Sequence, residues 1–402
     1  MAAPAVRAQA PGPGVALIIG NSKYKYESPL PNARRDSTDI AKRFRELGLK
    51  TELLQDADRN TMRQAVEKFA EASRGTHLSV FSFAGHGTTA RRSDTGGWGS
   101  DLVPIDADLS TPASAGVLTS IASVHDAMSG AAHRLAIFDN CRNDPVHEWR
   151  PGQPDVGSTL RSGGTQQGSV RMPNRMWMLS AAPGRVAFDG PAGQNSPFAA
   201  ALLRNLAGES TDLRTLGDKA RRDVLIATEG RQIVQSSHTY DQPFVLKGPR
   251  DASAGRLAMP VDSSRIAELP NAYAFARENK FPLHPAMVAF RPPDGSPHRQ
   301  KVGAFKFTER TDQGFVPAMF IVLSVGDDNV AELQVAGARS GGGVSQNLRG
   351  TASGNRIEYK VPFANGNRHS VFEWRGADSG TVSGFYSNGQ AIPVTSFSRL
   401  DG

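Results

Sequence analysis

The chain carries a single cysteine, Cys141, which excludes any disulfide within it. No stretch approaches the roughly 18 consecutive apolar residues that a membrane-spanning helix needs, so no membrane span is expected. Clustered charge is also missing. The net charge is +7, but Lys and Arg are dispersed rather than gathered in a stripe. That reads as a basic solvated surface and not as a nucleic-acid interface. What remains is a chain of 402 residues, long enough for two domains at about 150 residues each.

Residues 1–13 are Ala- and Pro-rich without periodicity. Ala8-Gln9-Ala10 fits the small-x-small pattern of a signal-peptidase site, but the positive and apolar regions that should precede it are lacking. The segment is either a disordered leader or a signal-peptide remnant. Cytoplasmic and exported (periplasmic) locations both stay open.

From residue 14 to 247 strand and helix patterns alternate. Val15 to Gly20 is a continuous apolar run of the kind buried on both faces of a parallel sheet. Asn32 to Leu47 is predicted helical, with Ile40, Phe44 and Leu47 at helical spacing and Gly48 ending it. Thr51 to Leu54, His77 to Ala84, Leu135 to Asp139, Met176 to Leu179 and Pro243 to Leu246 read as strands. Thr61 to Ala72, Val117 to Met128, Ser196 to Leu206 and Leu213 to Thr228 read as helices. This alternation predicts an α/β domain with a doubly wound, mostly parallel sheet flanked by helices. Residues 150–173, rich in Gly, Ser, Gln and Arg, read as a long mobile loop. Residues 248–262 read as a linker. Residues 263–402 carry short β-type runs (Ala318 to Val325, Val330 to Val335, Arg356 to Val361, Ser370 to Trp374) separated by turn residues, which predicts a small all-β domain, sandwich or barrel. Its role is read as recruiting a partner, targeting or regulating the first domain.

In doubly wound sheets, sites lie beyond the carboxyl ends of the strands. His86 and Cys141 each follow a predicted strand directly, so two strand ends bring a His and the lone Cys to one sheet edge. A thiol attacks a carbonyl as thiolate, and a neighbouring imidazole can take up its proton and later protonate the leaving amine. The oxyanion needs backbone donors. The N–H groups of Gly87 and Cys141 are the candidates, and Gly87 has no side chain to keep a substrate carbonyl away. His125, His133 and His147 are poorer candidates: the first two flank a helix and are expected to face solvent or satisfy backbone groups, and His147 follows Cys141 too closely.

Phe81 to Gly87 and Leu135 to Asn143 resemble the His and Cys blocks of the caspase/metacaspase superfamily, with the His about 50 residues ahead of the Cys. Further blocks agree in order: Ala16 to Asn21, which is similar to the opening strand of bacterial caspase-like proteins, Leu30-Pro31-Asn32 through Asp36, Leu102 to Ala107, Ser180 to Gly184, and Asn195 to Phe198. The resemblance covers residues 14–247 and implies a cysteine endopeptidase with His86 and Cys141 as catalytic pair. The resemblance does not extend past the linker.

Metacaspases cut after Arg or Lys and hold the basic side chain with acids. The resemblance carries these over to Asp139, two residues before the Cys, and Asp36, at the start of the first helix. The bland alternatives are a helix-start residue for Asp36 and a contact to the His loop for Asp139. An enzyme that cuts after Arg could process itself in the 150–173 loop, at Arg161 or Arg171. The chemistry itself requires no cofactor. Many metacaspases need calcium, and Asp101, Asp106 and Asp108 are weak candidate oxygen ligands; their match to the family's calcium positions is poor, and solvated loop carboxylates are the default. Two rivals remain: a non-catalytic caspase-like scaffold that binds peptides, and another thiol hydrolase on the same fold, such as a separase-like protein.

Overall fold

A computed structural model describes residues 14–91, 98–109, 119–140, 173–181, 187–250, 263–281, 283, 287–311, 314–339, 342–363, 366–386 and 388–401. These fall into two compact units. The first comprises the described residues within 1–148, 154–217 and 235–256, and the second those within 218–234 and 257–402. Cys141, Arg161 and Arg171 lie outside the described residues, as do residues 1–13 and nearly all of the predicted 150–173 loop.

The first unit runs β1 (Val15–Gly20), α1 (Ala33–Glu46), β2 (Lys50–Gln55), α2 (Arg59–Ser73), β3 (Leu78–Ala84), β4 (Gly87–Arg91), β5 (Trp98–Leu102), β6 (Thr119–Ser120), α3 (Ile121–Ala127), β7 (His133–Asp139), β8 (Arg175–Leu179), α4 (Pro197–Leu206) and β9 (Ser210–Asp212). Then α5 (Leu213–Ala227) begins, and β10 (Gln235–His238) and β11 (Val245–Lys247) complete the unit. Six strands form the main sheet in the order β10-β8-β7-β3-β1-β2. Five are parallel and β10 is antiparallel to β8. This is the predicted mostly parallel sheet, and its centre is apolar on both faces.

Val15, Leu17 and Ile19 of β1, Phe81 and Phe83 of β3, and Phe138 of β7 form one core with Met62, Ala65 and Phe69 of α2 and Val124 of α3. Ala16 and Ile18, on the other side of β1, are equally buried. They lie on the face where α1 packs on β1 and β3 and meets α4. In α1 the buried positions Ala33, Ser37, Ile40, Ala41 and Phe44 keep a helical period. Asp36 lies in the same buried stripe.

Two expectations are corrected. The helix expected over Val117 to Met128 is shorter, Ile121–Ala127, and the two-residue strand β6 precedes it. Ser120 caps it, its Oγ accepting from the Ser123 N–H at 3.0 Å. The run read as Pro243 to Leu246 is β11, Val245–Lys247, which pairs with β9 outside the main sheet. The sheet's edge strand is the polar Gln235–His238 instead. The sequence pattern also missed the small sheet β4-β5-β6.

The second unit takes the later part of α5, then β12 (Ile266–Glu268), α6 (Pro270–Glu278), β13 (Val288–Phe290) and eight further strands. These are β14 (Gly303–Thr311), β15 (Gly314–Val325), β16 (Val330–Arg339), β17 (Gly342–Ser353), β18 (Arg356–Phe363), β19 (Gly366–Trp374), β20 (Ser379–Tyr386) and β21 (Ala391–Arg399). They close into an all-antiparallel barrel through the β14–β21 pair. Phe305, Phe320, Phe372, Trp374 and Phe397 fill it with ring contacts. The all-β prediction thus resolves into a barrel. Closure leaves its sheet without edges. Among the described residues, no helix is long and apolar enough to cross a membrane.

Candidate active site

The three central strands end level. Gly20 of β1 pairs with Ala84 of β3, and Ala84 pairs with Asp139 of β7. The Gly85 N–H continues the ladder to the Asp139 carbonyl at 3.1 Å. His86 therefore leaves β3 one residue beyond that bond, beside the end of β7. Asn140 is the last described residue before Cys141.

The His86 ring is half-buried and held at one nitrogen, and its backbone is held as well. Its Nε2 lies 2.8 Å from the Ser28 carbonyl oxygen. A carbonyl only accepts, so in the neutral ring Nε2 carries the proton and Nδ1 carries the free lone pair. The His86 N–H donates to the Tyr24 hydroxyl at 2.7 Å. Gly87 opens β4, and a Cβ there would fall 2.0 Å from Asn140 Nδ2. The glycine thus lets the Asn140 side chain lie directly over the backbone after His86.

Beside His86 opens a small cleft lined by Leu30, Ala33, His86, Asn140, Phe188 and Ser196, among others. Three carboxylates line it as well: Asp36, Asp139 and Asp189. Asp36 Oδ1 accepts from Asn195 Nδ2 at 2.9 Å and from the Ser196 N–H at 3.1 Å. Asp139 Oδ2 accepts from Ser196 Oγ at 2.5 Å. Ser196 also caps α4, its Oγ accepting from the Ala199 N–H at 2.9 Å. One serine therefore starts a helix and bridges both acids, and Pro197 fits the first turn behind it.

Burial pushes the Asp36 carboxyl well above its ordinary range, and the charge of Asp139 adds to this. Burial likewise raises Asp139, to about 6, against the hydrogen bonds from Ser196 and Ser180. Asp189 is raised too, again by burial first, while the Asn32 N–H and His86 hold it down. Among the described residues, no Lys or Arg forms an ion pair with any of the three. Three desolvated acids without a cation are unfavourable as three anions, so the site is built either to share protons or to receive a positive group.

Asp36 and Asp139, both singled out in the sequence, thus meet in one cleft with His86. Asp189 was missed. It sits in a turn-rich stretch between β8 and α4 and is placed by a residue far away in sequence. The Asn32 side chain donates from Nδ2 to the Asp189 carbonyl at 2.7 Å and to the Pro191 carbonyl at 2.9 Å. Its Oδ1 accepts from the Gly193 N–H at 2.9 Å, and its own N–H meets Asp189 Oδ2 at 3.2 Å.

The other candidates lie elsewhere. His133 starts β7, at the end of the sheet remote from His86, and stacks on Phe244 with centroids 4.0 Å apart. His125, expected at the surface or on backbone groups, is instead buried in α3 without a hydrogen-bond partner among the described residues. Burial lowers it to about 3, so it is neutral. Asp101 is buried in β5, and Asp108 is partly buried in the loop after it. Asp106 Oδ1 accepts from the Arg59 N–H at 2.9 Å, at the start of α2. Among the described residues, no group of three or more His, Cys, Asp or Glu is arranged to hold a metal ion.

A family model described as the caspase domain matches residues 13–245. Among solved structures, the crystal structure of caspase-1 from Spodoptera frugiperda is similar, with 15% identity and a TM-score of 0.43, covering 63% of this chain and 99% of that chain. No curated protein matches the sequence.

Proposed function

Because the chain belongs to the caspase-domain family, a family of cysteine peptidases that act on protein substrates, we propose that it is a cysteine endopeptidase that cuts after Arg and, less readily, Lys. His86 and Cys141 are the catalytic pair in this reading. The observation that carries the specificity is the set of three carboxylates beside His86, Asp36 and Asp139 buried and Asp189 half-buried, with no ion-pair partner among the described residues. A guanidinium entering there gains charge-assisted, partly bidentate hydrogen bonds and removes the repulsion among the acids. A planar fork uses two acceptors better than an ammonium does, hence the preference for Arg.

The proposed chemistry follows from the imidazole's orientation. With Nε2–H donated to Ser28, Nδ1 is the atom free to take the Cys141 proton. The thiolate attacks the carbonyl of the basic residue, and the N–H groups of Gly87 and Cys141 receive the oxyanion. The imidazolium then gives its proton to the leaving amine. The resulting thioester is hydrolysed by water, with His86 acting as base again. Self-processing at Arg161 or Arg171 is part of this reading. It is tested by intact mass after incubation of wild type and Cys141→Ala: cut chains are expected from wild type alone.

The main experiment is cleavage of a fluorogenic Arg peptide by wild type, His86→Ala and Cys141→Ala. Cleavage is expected from wild type and from neither variant. Equal background from all three would sink the peptidase reading in favour of a caspase-like binding module.

A further inference from the structure

We propose that Tyr24 is a positioning residue that orients the His86 imidazole, an inference that rests on the peptidase reading. Three hydrogen bonds close a ring around the backbone of His86. Its N–H donates to the Tyr24 hydroxyl at 2.7 Å. That hydroxyl donates to the Val103 carbonyl at 3.3 Å. The Val103 N–H returns to the His86 carbonyl at 3.0 Å. Both backbone polar groups of His86 are thus fixed in one circuit.

The same tyrosine also meets the imidazole itself, with ring centroids 4.5 Å apart and planes tilted by 54°. Its side chain is buried, packed with Val103 and Ala107. Burial keeps the hydroxyl protonated, and so able to donate and accept together. A Cβ on Gly85 would come within 2.5 Å of the hydroxyl, so the Gly-His-Gly motif has a second reason: Tyr24 needs the space before His86.

The circuit is anchored. Asn21 Nδ2 donates to the Val103 carbonyl at 3.1 Å, and Asn21 Oδ1 accepts from the Ala57 N–H at 2.9 Å. This ties Val103 to the ends of β1 and β2. The loop that carries Tyr24 is closed by Leu30 N–H to the Ser22 carbonyl at 3.0 Å and by Ser22 Oγ to the Leu30 carbonyl at 2.5 Å. That closed loop also presents the Ser28 carbonyl to His86 Nε2. One loop therefore holds the histidine by its backbone, its ring face and its ring nitrogen, and Tyr24 supplies the first two. A base works only within hydrogen-bond reach of its proton. Small misplacements of such a group are costly in rate.

The test compares wild type with Tyr24→Phe and Tyr24→Leu, with kcat counted per titrated active site. Tyr24→Phe keeps the ring and loses the hydroxyl. Its kcat is expected to fall about tenfold, the size of one net hydrogen bond, with KM within about twofold. Amide exchange at His86, slow in the wild type, is expected to quicken. Tyr24→Leu loses both contacts and is expected to fall about 100-fold in kcat; if it fails to fold, Tyr24→Phe decides alone. An unchanged kcat in Tyr24→Phe, or a loss confined to the number of titratable sites, overturns the role of Tyr24. Absence of Cys141-dependent cleavage in the wild type is a different failure: it removes the peptidase reading, and the catalytic role of Tyr24 with it.

Discussion

Replacing Asp139 by Asn removes one negative charge from the cleft and keeps its shape. The amide oxygen can still accept from Ser196 Oγ, which now bonds Asp139 at 2.5 Å, so α4 keeps its start. In the free protein the change relieves repulsion, because Asp139 is a buried carboxyl that raises Asp36 by its charge. With an Arg substrate bound, the guanidinium keeps its hydrogen bond but to a neutral acceptor, a loss of about 1–1.5 kcal/mol. Asp36 and Asp189 still face the guanidinium, which keeps the loss below the ~3–5 kcal/mol of a fully broken buried pair. At 1.36 kcal/mol per tenfold, kcat/KM for an Arg peptide should fall by about 5- to 13-fold. The same peptide with citrulline, a neutral isostere of arginine, isolates the charge: wild type should discriminate strongly between the two, Asp139→Asn much less. The melting temperature should hold or rise, in the opposite direction to activity. An Asp139→Asn variant with the wild-type ratio of Arg to citrulline cleavage would refute the reasoning.

Three further outcomes follow from the same cleft. First, since Asp139 is raised to about 6 and binds a cation only when ionised, kcat/KM for Arg peptides should drop about tenfold per pH unit below pH 6. This limb is expected to vanish in Asp139→Asn; an unchanged limb would assign it to another group. Second, Ser196→Ala removes a bond that favours the ionised form of Asp139 and also the α4 cap. The acid limb should therefore move to higher pH, and stability should fall by about 1–2 kcal/mol in urea titrations. Third, all three acids have folded-state values above their ordinary ones. Their contribution to stability is full below pH ~4 and is lost as pH rises through the raised values. For Asp139, raised to about 6, the free protein's melting curve should show this loss between about pH 4 and 7, and Asp139→Asn should remove that part. As to metal, cleavage is expected to be the same in excess chelator and in millimolar calcium; calcium activation abolished by Asp101→Asn or Asp108→Asn would contradict this.

How much was legible in the sequence depended on range. His86 was visible because an apolar strand ran into two glycines. Asp36 carries a signal of its own, a charged residue on the stripe that Ala33, Ile40 and Phe44 mark as core. Asp189 carries no such local signal. Its position is set by Asn32, 157 residues earlier, and pairing over that distance leaves no periodicity to read. The barrel shows the same limit. Its strand β15 was legible because Ala318 to Val325 is buried on both faces, whereas β21 alternates weakly and is mostly exposed. Barrel closure joins Phe305 to Arg399, a contact no local run announces. Tyr24 lies in the stretch between β1 and α1, where no periodicity marks it, and only the fold brings its hydroxyl to His86.

The most direct test of the peptidase account is covalent labelling with a peptide electrophile ending in Arg, read as intact mass and then by peptide mapping. One adduct on Cys141 is expected in the wild type. Labelling should be much slower in His86→Ala and in Asp36→Asn/Asp139→Asn, and slow in the wild type when the electrophile ends in Asp. Labelling at equal rates in all of these, or none on Cys141 in the wild type, would contradict the account.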